Sequence, residues 1–205
     1  MSEKINFTAQ KLLDLAKAVS EECQFIQLNT FNDEMTISQV VRFFNKQGKN
    51  FTKTMIQNYV RVGVLPPPLD RRYYTKNHLI LLSLIDNLKA IYSLDEIKLV
   101  LTPILKNPET FDDDIIKVSD LYEDYILLHK NALTNWESYL PKTLDEVNRL
   151  LQKDNVSNEE KDVVSAFMLV LTLMAETIAI KRLIHLISEK YLTNVGESEV
   201  SQIKK

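Results

Sequence analysis

A chain of 205 residues, 45% apolar and with a net charge of -3, is long enough for one substantial domain or two small ones. Its three glycines are too few for a loop-rich β architecture or a glycine-rich phosphate loop, and its one cysteine, Cys23, excludes an internal disulfide. The opening Met-Ser-Glu-Lys-Ile-Asn lacks the basic start and apolar core of a signal peptide, and the most apolar stretch, Val163 to Ala175, is thirteen residues where a membrane span needs about 20. A cytoplasmic protein with no membrane segment is expected.

Helical spacing recurs along the chain and period-two alternation is nowhere sustained, so the fold class is mainly all-α. Thr8 precedes Leu12, Leu13, Ala16, Val19 and Cys23, an amphipathic stripe behind a capping hydroxyl, within an N-terminal helical segment spanning 1–35. The pairs Thr36/Gln39, Ser93/Glu96, Thr143/Glu146 and Ser157/Glu160 have capping-box spacing and predict four helix starts. A short helix opens at Thr36. A second covers about 53–62 and ends at Gly63, where a C-cap needs positive φ. Pro66-Pro67-Pro68 stiffens the exit, Arg71-Arg72-Tyr73-Tyr74 follows, and another helix starts from Thr75. After Leu101, Pro103, Asn107 and Pro108 interrupt the pattern and predict a boundary between 36–106 and 107–205. Asp112-Asp113-Asp114 suits the first turn of the next helix. That helix carries Val118, Leu121, Tyr122, Tyr125, Leu128, Ala132 and Trp136 on one face, and Pro141 is expected to stop it. A short helix from Leu144 to Lys153 comes next. The longest, from about Asn158 to Leu192, is so widely apolar up to Ala175 that it is expected to be buried. The tail from Thr193 is polar and expected to fray.

Charge singles out one region. From Met35 to Tyr92 there are nine Lys/Arg against two acids, so this segment is +7 and the remainder -10. Nucleic-acid phosphate is the usual partner of such a patch. Within the 53–62 helix, Lys53, Gln57, Asn58 and Arg61 take polar positions, while Met55, Ile56, Tyr59 and Val60 can face inward. Gln and Asn can bond bidentately to adenine edges, and Arg and Lys to guanine or phosphate. Arg71 and Arg72 would sit on a short loop beside that helix. Lys46 and Lys49 are further phosphate anchors or plain solvated lysines.

Residues 36 to 101 resemble the MerR-type winged helix-turn-helix, and more closely an uncharacterised bacterial family that carries it. The resemblance rests on Thr36-Ile37-Ser38-Gln39-Val40-Val41 for the first helix and Met55-Ile56-Gln57-Asn58-Tyr59 for the second. Gly63-Val64-Leu65-Pro66, the wing Arg72-Tyr73-Tyr74, and Ser93-Leu94-Asp95-Glu96-Ile97 complete it. It implies a DNA-binding domain over 36–106, with the 53–62 helix in the major groove and the wing on flanking backbone. The residues it implicates are Thr36, Ser38, Lys53, Thr54, Gln57, Asn58, Tyr59, Arg61, Arg71, Arg72 and Tyr74, with Tyr59 a backbone contact and Tyr74 the wing tyrosine most like the family's. Where MerR proteins carry Arg before two aromatics this chain has Gln57-Asn58-Tyr59, which implies altered base preference or weaker binding. The link 45–50 is lengthened and the wing is short. Residues from 102 onward resemble no MerR effector domain, so any small-molecule effector is left open.

These readings imply a sequence-specific DNA-binding transcriptional regulator that binds double-stranded DNA, with a C-terminal helical domain over 107–205 for dimerisation or regulation, and the MerR resemblance implies a homodimer through residues 158–192. The alternatives are an architectural, excisionase-like DNA binder and a protein-interaction adaptor on the same fold. No enzyme, catalytic residue, metal or cofactor is expected. His78, His129 and His185 lack metal-ligand spacing, and His78 is expected to face solvent. Cys23 beside Glu21 and Glu22 is a poor nucleophile, and Tyr125 and Trp136 read as core.

Overall fold

The computed structural model describes residues 6–26, 28, 34–105, 111, 115–152, 157 and 160–193, and the chain is mainly helical. By internal packing it falls into two units, each discontinuous in sequence: Phe25–Tyr125 with Ile184–Lys205, and Met1–Gln24 with Ile126–Leu183.

The first of these units follows the predicted starts closely. Strand β1 (Met35–Thr36) leads into α2 (Ile37–Lys46; α1, Ala9–Glu22, lies in the other unit), where Gln39 Oε1 accepts from the Thr36 N–H at 2.9 Å and its hydroxyl at 2.7 Å. The lengthened link after α2 is held by one side chain. Asn45 accepts the Phe51 N–H at 2.8 Å and donates to the Phe51 carbonyl at 3.0 Å. Thr52 caps α3 (Lys53–Val62), and Gly63 ends it at φ 78°, a left-handed conformation that costs glycine no steric clash. β2 (Tyr73–Tyr74) pairs antiparallel with β1, Met35 opposite Tyr74 and Thr36 opposite Tyr73. α4 (Lys76–Leu88) is the central helix, with Leu79, Ile80, Leu81, Leu82 and Ile85 all buried. α5 (Leu94–Leu101) opens with the Ser93/Glu96 box. The first turns of α6 (Val118–Leu151) belong here too: Tyr122 donates to the Ile26 carbonyl at 2.8 Å and shares a hydrogen bond with Ser83 at 3.1 Å. A π-helical turn, Ser188–Thr193, sets Ser188 against the Tyr92 hydroxyl.

In the other unit, α1 (Ala9–Glu22) is capped by Thr8, which accepts the Lys11 N–H at 3.3 Å. Leu12 and Ala16 of α1 pack with Leu140 and Leu144 of α6 and Leu169 of α7 (Lys161–Ile187), with Phe7, Trp136 and Leu173 against them.

Three expectations are corrected here. Pro141 does not stop α6, which runs through it to Leu151, so the separate 144–153 helix and the Thr143/Glu146 start disappear. A proline inside a helix costs about 3 kcal/mol. Its neighbours Leu140 and Leu144 are both buried, and burying two leucines is worth roughly 1.5–3 kcal/mol each, so packing outweighs the lost hydrogen bond. Thr143 is buried and donates to the Tyr139 carbonyl instead of capping. The face expected to run the length of this helix is buried at Val118 and Tyr122 but open at Leu128.

α7 is not a buried helix. Between Val163 and Ala175 only Ser165 and Leu169 are buried, because α1 and α6 cover one side of it. The continuous helix Lys161–Thr193 is long and apolar enough to cross a membrane by length and composition, with mean hydropathy 2.2 in its most apolar window. Four further expectations, the acidic turn 112–114, the boundary at 106–107, the start near Asn158 and the tail past Thr193, lie outside the described residues.

Candidate nucleic-acid interface

The hairpin that follows α3 begins at buried Pro66 and turns back at residues 69–73. Leu69 and Tyr73 exchange two backbone hydrogen bonds of 2.8 Å, and the Arg72 N–H bonds the Leu69 carbonyl at 2.9 Å. Asp70 and Arg71 between them have φ of 51° and 56°, the backbone sign of a type I′ turn. That conformation suits glycine or asparagine, and for other L-residues costs about 1–2 kcal/mol each. The chain therefore carries strain where it presents an arginine. Arg71→Gly is expected to raise unfolding stability by about 1 kcal/mol in a denaturant titration, relieving the strain while removing the charge.

This hairpin and α3 enclose an open cleft of about 420 Å³ lined by Thr36, Ile37, Gln57, Val60, Pro68, Arg71, Arg72 and Tyr74. Four candidates from three separate segments, Thr36, Gln57, Arg71 and Arg72, thus meet on one surface with their polar groups exposed or half-exposed. Arg72 is steadied by its own neighbour, its guanidinium lying 5.2 Å from the Tyr73 ring centre, while Arg71 is exposed at the tip. Along α3, Lys53, Thr54, Gln57 and Arg61 are exposed, and the four-residue spacing of 53, 57 and 61 places them along one face. Asn58 is half-buried, and its side-chain oxygen accepts from the Arg61 guanidinium at 2.6 Å. That bond takes one of the two lone pairs of the Asn58 oxygen and holds the side chain against Arg61. Ser38 is exposed on the first turn of α2.

Two candidates are almost wholly buried, although Tyr74 also lines the cleft. Tyr59 and Tyr74 are 3% and 4% exposed and belong to the core, which corrects the assignment of Tyr59 as a backbone contact and of Tyr74 as the DNA-facing tyrosine of the wing. An aromatic ring on the inward side of a short helix or strand stabilises more by burial than by touching solvent. Burial also pushes the Tyr74 phenol above its usual pKa. Tyr73 is the half-exposed tyrosine of the pair and lies beneath Arg72.

Tyr59 is part of a charged clasp that sequence reasoning missed. The Lys89 ammonium lies 5.9 Å from the Tyr59 ring centre and 5.6 Å from that of Phe51, and pairs with Asp86 at 3.0 Å. Burial works against its charge, but hydrogen bonds to Asp86 and Tyr59 outweigh it and leave the pKa raised. Lys49 pairs with the same Asp86 at 3.5 Å, so it fastens the α2–α3 loop to α4 instead of standing ready as a phosphate anchor; Lys46 remains exposed.

The second missed residue is His78, 1% exposed where solvent exposure was expected. Its Nδ1 accepts from the Thr75 N–H at 3.0 Å and the Thr75 hydroxyl at 2.8 Å, while Nε2 is 3.1 Å from the Pro67 carbonyl. The Tyr74 and Phe111 rings pack edge-on against it. Thr75-x-x-His78 is a capping box with histidine in place of glutamate, a pattern no search for Glu or Gln at that position finds. The histidine thereby fixes both the start of α4 and the root of the arginine hairpin. Burial lowers its pKa, the Pro67 hydrogen bond opposing this only in part.

No curated protein and no solved structure matches the chain. The stretch holding the cleft, residues 26–125, matches the family model of a domain of unknown function, DUF1836, and is thus similar to an uncharacterised family.

Proposed function

We propose that the protein is a cytoplasmic, non-enzymatic DNA-binding regulator of transcription whose residues 36–106 form a MerR-like winged helix-turn-helix. In this reading α3 enters the major groove, Gln57 meets base edges, and Arg71 and Arg72 form a wing on the flanking backbone. The carrying observation is the single cleft that unites Gln57 with both arginines beside an exposed Lys53/Arg61 face. The +7 balance of residues 35–92 supports it, since a duplex rewards such a patch by counterion release. Two copies joined through residues 158–192 would read half-sites about one turn apart.

The test is selection of bound duplexes from a random library at near-physiological salt. An enriched motif is the expected result, and no binding at any salt would leave only the protein-interaction adaptor. Gln57→Ala is expected to change the enriched motif at one or two positions, each worth about 1–3 kcal/mol, with little change in salt slope. A second reading, an architectural binder without base selection, is favoured by the hydrogen bond that occupies Asn58 and by the short turn between Leu69 and Tyr73. Salt-sensitive binding without enrichment would select it.

A further inference from the structure

We infer that a small pocket between the end of α3 and α5 binds an aromatic or branched aliphatic carboxylic acid, with Lys98 holding its carboxylate. This goes beyond the DNA-binding reading and does not rest on it. The pocket has a volume of about 180 Å³. Its floor is Val64, Pro66 and Leu105, all buried, and Leu101 makes a half-buried wall. Lys98 and Thr102, both exposed, stand at the rim. An apolar floor with one or two polar groups at its edge is the usual build of a small-molecule site.

Size and charge name the occupant. A closed apolar cavity of about 150 Å³ accepts benzene, so this pocket accommodates a six-membered ring or an aliphatic chain of similar bulk. The Thr102 hydroxyl is already engaged, donating to the Lys98 carbonyl at 2.7 Å. The Lys98 ammonium has no hydrogen-bond or ion-pair partner among the described residues. It stands over Gly63, where an added Cβ would lie 3.1 Å from Nζ. The end of α3 draws a cation to this place, because the helix dipole leaves partial negative charge there. That attraction positions the ammonium and leaves its donors for a ligand. A phosphate carries more charge and more acceptors than one ammonium on apolar walls satisfies. A carboxylate on an apolar body matches both the cation and the floor.

Benzoate is the probe, titrated into the full chain labelled at leucine and valine methyls and followed by carbon–proton NMR. Shifts are expected at Val64, Leu101 and Leu105, saturating with a Kd on the order of 1 mM, as suits so small a ligand. Benzyl alcohol, of similar shape without the charge, is expected to move the same methyls at roughly 10-fold higher concentration. Lys98→Met keeps the aliphatic stem of an exposed residue and removes the ammonium. It should fold as wild type does and bind both compounds with the weaker affinity.

No shift at these methyls up to about 20 mM benzoate overturns the proposal. So does benzoate binding to Lys98→Met as tightly as to wild type, which would leave Lys98 a cap for α3 alone. Equal affinity for benzoate and benzyl alcohol would make the pocket a neutral apolar one, and an equal response to inorganic phosphate would make it a site for another anion. Either result overturns the assignment to an acid. The methyl shifts are read without DNA, so a failure of duplex binding is separable from a failure here.

Discussion

Replacing Arg71 and Arg72 together by alanine is expected to lower duplex affinity by roughly 10²- to 10⁴-fold at near-physiological salt, because two hydrogen bonds to charged groups at about 1.5–3 kcal/mol each total about 3–6 kcal/mol. The loss should be uniform across sequences, as befits contacts with phosphate. A plot of log affinity against log salt should become shallower by about 1.8, the release of two counterions' worth of charge. Stability should fall by no more than about 1 kcal/mol, since neither side chain supports the core: alanine keeps the strain of the turn at Arg71, and at Arg72 only the contact with the outside of Tyr73 is lost. Fluorescence anisotropy across a salt series, with a parallel urea titration, checks both. Wild-type affinity and slope in the double variant would remove the hairpin from the interface. Arg71→Gly sharpens the test, because it should gain stability and lose affinity at once.

The second large effect concerns His78 and acid. The two bonds that Thr75 donates fix Nδ1 as an acceptor, so the ring proton sits on Nε2 and points at the Pro67 carbonyl. Above the unfolded-state pKa near 6.5 the ring is neutral in both states and its contribution is fully present. Burial depresses the folded pKa. As pH falls below about 6.5 the unfolded chain takes up a proton that the folded chain refuses, and stability drops by about 1.4 kcal/mol per pH unit until the folded pKa is reached. His78→Ala should abolish that loss while costing about 2–4 kcal/mol at neutral pH, through the cavity and the unmet cap. Urea midpoints measured between pH 5 and 8 decide it. Parallel profiles for the two proteins would show that His78 is not the titrating group.

What the sequence announced and what it hid divide along a physical line. Helix starts set by side chains three residues apart, Thr36 with Gln39 and Ser93 with Glu96, were legible because the interaction is local. The bounds of α3 and the left-handed Gly63 were legible for the same reason. Pro141 was misread because a local penalty lost to burial of Leu140 and Leu144 against residues far away in the chain. α7 was misread because apolar composition states that a surface wants cover, not whether this chain supplies it. Within the candidate site, charge and order located Gln57, Arg71 and Arg72. They did not show that Tyr74 turns inward, since in a two-residue strand alternation is too short to fix a face. The helical spacing of α3 already let Tyr59 face inward, and only the resemblance put it on the backbone. The histidine cap was hidden because an imidazole nitrogen does there what a carboxylate usually does.

The hydroxyl of Tyr122 reaches back 96 residues to Ile26, and beside it the rings of Phe25, Tyr122 and Tyr125 meet edge to face, 5.8 Å and 4.9 Å apart by their centres. The two ends of the segment that matches the family model are thus buttoned to each other. A module whose entrance and exit adjoin can be spliced into a host chain without forcing its flanks apart. Gene fusions could therefore redistribute this segment among proteins with quite different companions, each new host needing only two neighbouring points of attachment.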